Sequence, residues 1–228
     1  MKNIETTLTT HAVFSDDGTK RYLLSKTWDT KKPRLAIVML VPSEASGITL
    51  DTTTQLVLNN SERLGYGGVD VLNLFATVDD FDLKRAEEED AENIKAIVTA
   101  AQKADAMVYA PGVGKAKSKV FQQRQKQVLL ALQPFEGKLH CLTNAANDAR
   151  LQHPLSPAVR TWHLSPLEVA ELLPVKEEAP AQKKKPTTKG KASVEKSKIS
   201  ATGEAVIAKT ETSAEHEQRE NDAPAEQK

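Results

Sequence analysis

Bulky hydrophobic residues occur in four short blocks along the chain, and longer stretches with helical spacing separate these blocks. The first block, residues 35–41, is apolar without interruption, whereas a strand with one face in water would alternate apolar and polar positions. Such a block is typical of a strand that is covered on both faces. We therefore predict buried strands at residues 35–41, 69–76, 106–110 and 139–143.

The stretches between the blocks carry apolar residues at the three- and four-residue spacing of amphipathic helices, which predicts helices at residues 52–64, 83–103 and 118–132. Asp51 and Thr52 can cap the first helix, and Gly65 can end it. Strands that alternate with helices predict an α/β fold, a three-layer α/β/α sandwich around a mainly parallel central sheet. The pattern does not predict the strand order.

The two ends of this region carry shorter signals. Residues 12–14 and 21–25 flank a Ser-Asp-Asp-Gly turn ending at Gly18, which predicts an N-terminal β-hairpin. Residues 162–164 suggest a further short strand, and a last helix is predicted over residues 165–173 because a serine and a proline open it.

Composition changes sharply after residue 174. The chain has 228 residues, 39% of them hydrophobic, and nearly all the bulky ones precede Val175. We predict one globular domain over residues 1–174 and a disordered charged tail over 175–228. The tail is basic at 183–198 and acidic at 204–226, so its lysines are expected to assist DNA association, although a merely solubilising tail fits the composition equally well.

Several classes of protein are disfavoured by what the sequence lacks. Cys141 is the one cysteine, so neither an intrachain disulfide nor a cysteine-rich zinc site can form. The five histidines lack the spacing of metalloproteases and zinc deaminases, and we expect no metal and no cofactor. The N-terminus lacks the apolar segment of a signal peptide, and no block approaches the length of a membrane span. A cytoplasmic protein without a membrane partner is predicted.

Polar segments after the strands mark the predicted site, because ligands bind at the carboxyl ends of parallel strands. The first strand runs into Pro42 and Ser43, and proline cannot continue a sheet ladder. The third strand is followed by a loop with glycine and lysine, residues 111–115. This loop does not match a phosphate-binding P-loop, since Tyr109 and Ala116 replace its required glycine and its serine or threonine.

Three blocks of sequence carry a family resemblance. They are Arg21-Tyr-Leu-Leu-Ser-Lys-Thr-Trp-Asp29, Gly65-Tyr-Gly-Gly-Val-Asp-Val-Leu-Asn-Leu-Phe-Ala76 and His153-Pro-Leu155. Together with the strand into Pro42 they resemble the bacterial domain-of-unknown-function family 1643, over about residues 22–157. One departure falls in the predicted site, where the family has Asn-Pro-Ser-Thr-Ala and this chain has Val41-Pro-Ser-Glu-Ala45. The family name itself implies no activity.

The order of these motifs is also similar to that of the uracil-DNA glycosylase superfamily. In those enzymes a loop after the first strand positions the hydrolytic water, an asparagine reads the flipped base, and a final His-Pro-Ser loop supplies a histidine. The resemblance implies that Ser43 and Glu44 lie in the water loop, that Asn73 reads the base, and that His153 and Ser156 belong to the final loop.

These residue types suit the cleavage of an N-glycosidic bond. The amide of Asn73 would offer a donor and an acceptor to a flipped base. His153 would stabilise the negative charge on the departing base, and Glu44 would orient water and offset the positive charge on the sugar. Each residue also has a structural interpretation. Asn73 could satisfy backbone groups, Glu44 could be a solvated acid, and His153 could brace its loop.

The remaining candidates would bind substrate or DNA. Leu155 could be a wedge that fills the vacated base stack, and the hydroxyl and basic side chains could hold phosphates. This predicted binding set comprises Ser43, Tyr66, Phe75, Lys115, Lys117, Arg150, Leu155 and Ser156, with Asp29, Asp51, Asp79 and Asp80 as alternative acids.

We therefore expect a DNA-directed protein of glycosylase-like architecture that excises or recognises a modified base, with DNA bound through the cleft and the basic tail. Catalysis itself is an open question, because Val41 stands where the family has asparagine. A non-catalytic nucleic-acid-binding or adaptor protein and a small nucleotide- or sugar-processing enzyme are the alternatives. The sequence does not predict the oligomeric state.

Overall fold

A computed structural model of the chain describes residues 1–43, 47–78, 82–83, 90–143 and 151–173. All of these belong to one unit, residues 1–177. The predicted tail over 175–228 lies outside the described residues, as do Glu44, Arg150, Asp79 and Asp80. Predictions that rest on them therefore stay predictions.

In the described part of the chain, seven strands form one sheet in the order β1–β2–β4–β3–β5–β6–β7. The neighbours β4, β3, β5 and β6 run parallel, whereas β1 and β2 form an antiparallel hairpin on one side and β7 pairs antiparallel with β6 on the other. The strands are Thr9–Phe14, Arg21–Thr27, Arg34–Met39, Gly68–Asn73, Ala106–Tyr109, Leu139–Thr143 and His163–Pro166, numbered β1 to β7.

The connections between the strands contain the helices α1 (Thr52–Arg63), α2 (Ala91–Lys103) and α3 (Lys119–Leu132), and α4 (Val169–Leu172) follows β7. A side chain caps each of the three longer helices by accepting a backbone N–H of its first turn, which satisfies a donor that the helix itself leaves unpaired. The three caps are Asp51, Asp90 and Ser118.

The strand β3 explains why its sequence block lacks alternation. Its residues Ala36 and Val38 belong to a core cluster with Ile97 of α2 and Leu129 of α3. Its residues Leu35, Ile37 and Met39 belong to a second cluster, which contains Val57 of α1. Both faces of the strand are therefore buried, and the predicted three-layer arrangement is confirmed.

The predicted start of the second helix is wrong. The prediction places it at 83–103, whereas α2 begins at Ala91. Asp90 has an extended backbone with φ of −148°, and its carboxylate accepts the N–H of Asn93 at 3.0 Å. The helix therefore starts at the last acid of a charged run, and residues 84–89 lie outside the described part.

The last helix is also shorter than predicted. Ser165 and Pro166 continue β7, where they pair with Cys141 and His140 of β6. The helix is consequently restricted to Val169–Leu172. Pairing with the edge of the sheet has overridden the local capping signal of serine and proline, since tertiary contacts routinely outweigh propensity.

The parallel strands place four carboxyl ends at one end of the sheet, which we call the carboxyl end. The described segments that follow β3, β4 and β5 continue from that end. The start of β4 and the turn before it lie at the opposite, amino end, where Gly68 is in register with Arg34. This topology brings polar segments from distant parts of the sequence together.

Replacing Gly67 with alanine should destabilise the fold. A Cβ at this position would overlap the carbonyl oxygen of Asp29 and would lie 2.7 Å from the Cβ of Lys32. The carbonyl of Gly67 already accepts the N–H groups of Trp28 and Asp29, at 2.9 and 2.8 Å, so the backbone cannot shift without losing these bonds. We expect a loss of about 1–3 kcal/mol in the free energy of unfolding, measured by urea denaturation.

The matched control for this substitution is Gly137→Ala, because an added Cβ there meets nothing within 4 Å. It should change the free energy of unfolding by less than about 0.5 kcal/mol. Equal losses in the two variants would contradict the steric explanation.

Candidate functional site

A cleft of about 510 Å³ lies at the carboxyl end of the sheet. Its volume is within the range of sites that bind small molecules or single nucleotides. Three segments form its walls, namely the chain after β3, the glycine loop after β5 and the segment after residue 151. The lining residues are Leu40, Val41, Pro111, Gly112, Val113, Gly114, Lys115, Gln152, His153, Leu155 and Ser156.

His153 is fixed in the cleft by its own loop and by the glycine loop. Its Nδ1 accepts the backbone N–H of Leu155 at 3.2 Å, and its carbonyl accepts the N–H of Ser156 at 2.8 Å. Gly112 has a φ of 79°, and a Cβ on it would stand 3.2 Å from the Cβ of His153. Glycine is thus required both by the backbone conformation and by close packing.

The electrostatic surroundings of His153 favour a neutral ring. Burial lowers its pKa from the usual 6.5, and the negative charge of Asp51 opposes this effect without overcoming it. Because Nδ1 accepts a hydrogen bond, the hydrogen of the neutral ring is carried by Nε2. The imidazole can therefore donate one hydrogen bond from Nε2 to a ligand.

Arg21 and Asp51, which are buried or half-buried, form a polar group with Ser43 in the segment that follows β3. Arg21 of β2 is only 2% exposed, and its Nη1 donates to the carbonyl of Ser43 at 2.9 Å. Asp51 accepts the backbone N–H of Thr54 at 2.6 Å and a hydrogen bond from the hydroxyl of Ser43. Burial alone would raise the pKa of Asp51, but these hydrogen bonds and the charge of Arg21 lower it overall, so the carboxylate is ionised.

Lys26, a second buried cation of β2, holds the same segment at Gly47. The Nζ of Lys26 donates to the hydroxyl of Thr10 at 2.9 Å and to the carbonyl of Gly47, which also accepts the hydroxyl of Thr10 at 3.2 Å. Burial and the nearby charge of Arg21 lower the pKa of Lys26. The hairpin strand β2 therefore fixes the loop after β3 at Ser43 and at Gly47.

The rim of the cleft combines exposed apolar and basic side chains. Val113 is 59% exposed and Leu155 is 45% exposed. Lys115 lines the cleft, Lys117 follows it as an exposed residue, and the exposed Lys119 is the first residue of α3. The structure thus brings the predicted residues Lys115, Leu155 and Ser156 together with His153.

Asn73 lies at the same end of the sheet but does not line the cleft. It is the last residue of β4, three residues before the predicted strand end, and it is 1% exposed. Its carbonyl accepts the Nδ2 of Asn93 at 2.9 Å. Its own amide makes no hydrogen bond with the described residues, although buried amides usually have partners.

Two predicted binding residues lie elsewhere. Phe75 is 2% exposed and packs in the core, with the guanidinium of Arg124 at 5.6 Å from its ring centroid. Tyr66 lies in the turn before β4, at the amino end of the sheet, so the fold separates it from the cleft. Neither side chain is brought to His153.

A second cavity, of about 400 Å³, lies over β1 and β2 on the side of α2. Its main charged feature is the ion pair of Arg34 and Asp70, in which Nε donates to the carboxylate at 2.8 Å. The remaining nitrogens of Arg34 bond to the carboxylate and to the hydroxyls of Thr27 and Ser25. This arginine therefore supports the hairpin, and the cavity is also lined by His11 of β1 and by Lys103 of α2.

Sequence reasoning missed Arg21, Lys26 and Gly112. Arg21 and Lys26 lie near the two ends of β2, each next to a polar residue, so no local pattern in the sequence indicates that they are buried. A buried cation needs paired acceptors, so such a residue indicates a polar network. The role of Gly112 depends on the distant His153 and has no local signal.

The described residues contain no group of three or more His, Cys, Asp or Glu side chains arranged to hold a metal ion. Among the same residues, no helix is both long and apolar enough to cross a membrane.

Comparison with known proteins finds a family. The family model described as "Protein of unknown function (DUF1643)" matches residues 21–155, which is more than half of the 228 residues. The match includes Arg21, Ser43, Asp51 and His153. No curated protein and no solved structure matches the chain.

Replacing Gly112 with alanine should displace His153. A side chain at φ of 79° is strained, and its Cβ would press on the Cβ of His153. We expect a loss of about 1–3 kcal/mol in the free energy of unfolding. We also expect changed chemical shifts of the His153 ring in NMR spectra. Gly114→Ala, two residues along the same loop, is the matched control because its Cβ would meet nothing within 4 Å. Unchanged ring shifts in the Gly112 variant would contradict the contact.

Proposed function

Since the chain belongs to the DUF1643 family, whose description states no activity, we propose its function from the geometry of its own residues: it binds nucleic acid at the cleft, recognises a modified base there and hydrolyses the N-glycosidic bond. The observation that carries this proposal is the placement of a neutral, hydrogen-bonded His153 in an open cleft with a basic rim. Water is the only co-reactant that the reaction needs.

The chemistry follows from where charge develops. The bond between C1′ of the sugar and a nitrogen of the base breaks, and its electrons leave with the base, which becomes negatively charged. Nε2–H of His153 donates a hydrogen bond to an oxygen of that base and stabilises the charge. One preorganised donor of this kind can increase the rate by a factor of about 10²–10³. The water oxygen then bonds to C1′, and the proton that the water loses neutralises the base anion, so that the products are the sugar hydroxyl and the free base.

Base recognition is assigned to Asn73, whose amide has both a donor and an acceptor without partners among the described residues. These two groups match the pattern of a base edge. The amide is covered, so the base must displace the groups above it. The water is assigned to Glu44, which follows Ser43 and is outside the described residues.

The shape of the cleft supports a polymer as substrate. The cleft opens to solvent on the side of its exposed lining residues Val113, Lys115 and Leu155. Lysines attract the phosphate backbone, and exposed aliphatic side chains can fill the gap that a flipped base leaves in the stack. A closed pocket would be expected for an enzyme that acts only on free nucleotides.

A second function, binding without catalysis, is favoured by one residue. Val41 lines the cleft at the position where the sequence resemblance to the family implies an asparagine. An aliphatic side chain can neither hold water nor donate to a substrate. A protein of this kind would sense the base, or act as an adaptor on nucleic acid, without cleaving the bond.

The test of catalysis is the formation of abasic sites. The full chain is incubated with single- and double-stranded oligonucleotides that carry deaminated, oxidised or alkylated bases, and alkaline cleavage reports the product. We expect product from at least one base, with the rate reduced about 10²-fold or more in His153→Gln. His163→Gln is the matched control, because His163 is an exposed histidine on β7. Binding without product in every case would support the second function and overturn the first.

Lys115 provides an independent test of nucleic-acid binding. Lys115→Gln should weaken binding to all oligonucleotides alike, and it should reduce the slope of log K against log salt concentration by about one. Lys103→Gln removes the same charge from an exposed position at the end of α2 and should leave the slope unchanged. Fluorescence anisotropy at several salt concentrations measures both. An unchanged slope in the Lys115 variant would place the phosphate path elsewhere.

A further inference from the structure

The second cavity, of about 400 Å³, lies between α2 and the strands β1, β2 and β4. A row of residues in register across the three strands forms its floor, because His11 is opposite Ser25 and Ser25 is opposite Asp70. Residues that are directly opposite each other on neighbouring strands share one face of the sheet. This face is the one that α2 covers, since Ala96 and Ala100 of the helix also line the cavity.

The helix leaves this space open because two of its residues there are small. Ala96, Ala100 and Lys103 follow one another at the four- and three-residue spacing of a single helix face, and all three line the cavity. On the hairpin, Val13 and Leu23 are opposite each other and line it as well. The volume is within the range of small-molecule sites. Apolar side chains from the helix and the hairpin thus enclose a space that a small molecule can fill.

Among the described lining residues, one positive charge is not balanced by an acid. Both oxygens of Asp70 accept hydrogen bonds from the guanidinium of Arg34, with the Nε donor at 2.8 Å, so these opposite charges offset each other. Lys103, at the end of α2, is the second lining cation, and it has no ion pair with the described residues. A negatively charged group is therefore attracted to the cavity at Lys103.

Two uncharged donors complete the polar part of the lining. Ser25 is 8% exposed, and its Oγ accepts a hydrogen bond from Arg34. Because the hydroxyl has a hydrogen of its own, it can donate to a ligand oxygen as well. His11 adds an imidazole N–H from the side of the hairpin. Donors from β1 and β2 thus face the same space as the lysine of α2.

We propose that this cavity is a second binding site, which takes a small organic monoanion. The apolar body of the ligand lies against Ala96 and Ala100, and its carboxylate pairs with Lys103 and accepts hydrogen bonds from Ser25 and His11. A monoanion matches the single unbalanced charge, whereas a dianion would leave one charge without a partner. The cavity shares no lining residue with the cleft, so the proposal does not depend on the proposed function.

The test compares two pairs of probes with the full chain, benzoate with benzamide and hexanoate with hexanamide. In each pair the amide keeps the shape of the carboxylate and lacks its charge. NMR titrations follow the backbone amides of Ser25, Ala96 and Ala100 and yield a Kd for each probe. For at least one carboxylate we expect a Kd of about 0.1–10 mM. Its amide should bind about fivefold more weakly, because one ion pair at the protein surface is lost.

Substitutions in α2 separate the apolar part of the site from the charged part. Ala100→Leu fills the cavity and should abolish the binding of every probe. If that variant does not fold, Ala96→Leu fills the same space from a half-buried position, and the same expectation applies. Lys103→Gln should weaken carboxylate binding about fivefold and leave amide binding unchanged. Lys95→Gln is the matched control, because the exposed Lys95 pairs with Glu92 at 3.5 Å and does not line the cavity.

Each outcome decides the proposal. Absence of binding by all four probes would overturn it, and so would binding that survives the filling of the cavity, because the ligand would then lie elsewhere. Equal affinities for the carboxylate and the amide of each pair would overturn the assignment of a monoanion. Equal effects of Lys103→Gln and Lys95→Gln would overturn the role of Lys103. Shifts confined to the glycine loop after β5 would place the anion in the cleft and contradict a second site.

Discussion

The burial of β3 on both faces is the constraint on which the rest of the structure depends. Its alternate side chains enter two separate cores, so helices must cover the sheet on both sides. With α1 on one face and α2 and α3 on the other, the parallel strands all end at the same end of the sheet. Pro42 then forces the chain out of the ladder at that end, where the cleft lies.

The N-terminal hairpin contributes more than a cover for the edge of the sheet. Its strand β2 carries two buried cations, Arg21 and Lys26, and both donate to carbonyls of the loop after β3. Burying a cation is costly unless hydrogen bonds and opposite charge offset the loss of water. Here the loop carbonyls and Asp51 supply that compensation, and in return the loop is held in one place. In the described sheet, the strand that holds this loop pairs with β1 and β4.

The site itself is built from contacts that combine distant segments. Gly112 lets the loop after β5 approach His153 closely, and Leu155 fixes the ring by donating to Nδ1. A neutral imidazole with one outward donor, an open cleft and a basic rim form a consistent chemical arrangement. Because the ring carries its hydrogen on Nε2, the histidine can donate a hydrogen bond to a ligand that carries negative charge.

The sequence by itself determined the layered fold, since a strand buried on both faces must be apolar at every position and an amphipathic helix must repeat its apolar face. It also predicted that the segments after the parallel strands meet at one end of the sheet, and the structure places His153 in a cleft at that end. It could not determine where α2 begins, because the capping acid Asp90 is one of several acids in a row. Nor could it show that Phe75 and Tyr66 lie away from the cleft. It also gave no indication that Arg21, Lys26 and Gly112 hold the loops in position. Those assignments depend on which strands are neighbours and on how closely two loops pack, and only the tertiary structure brings such distant residues into contact.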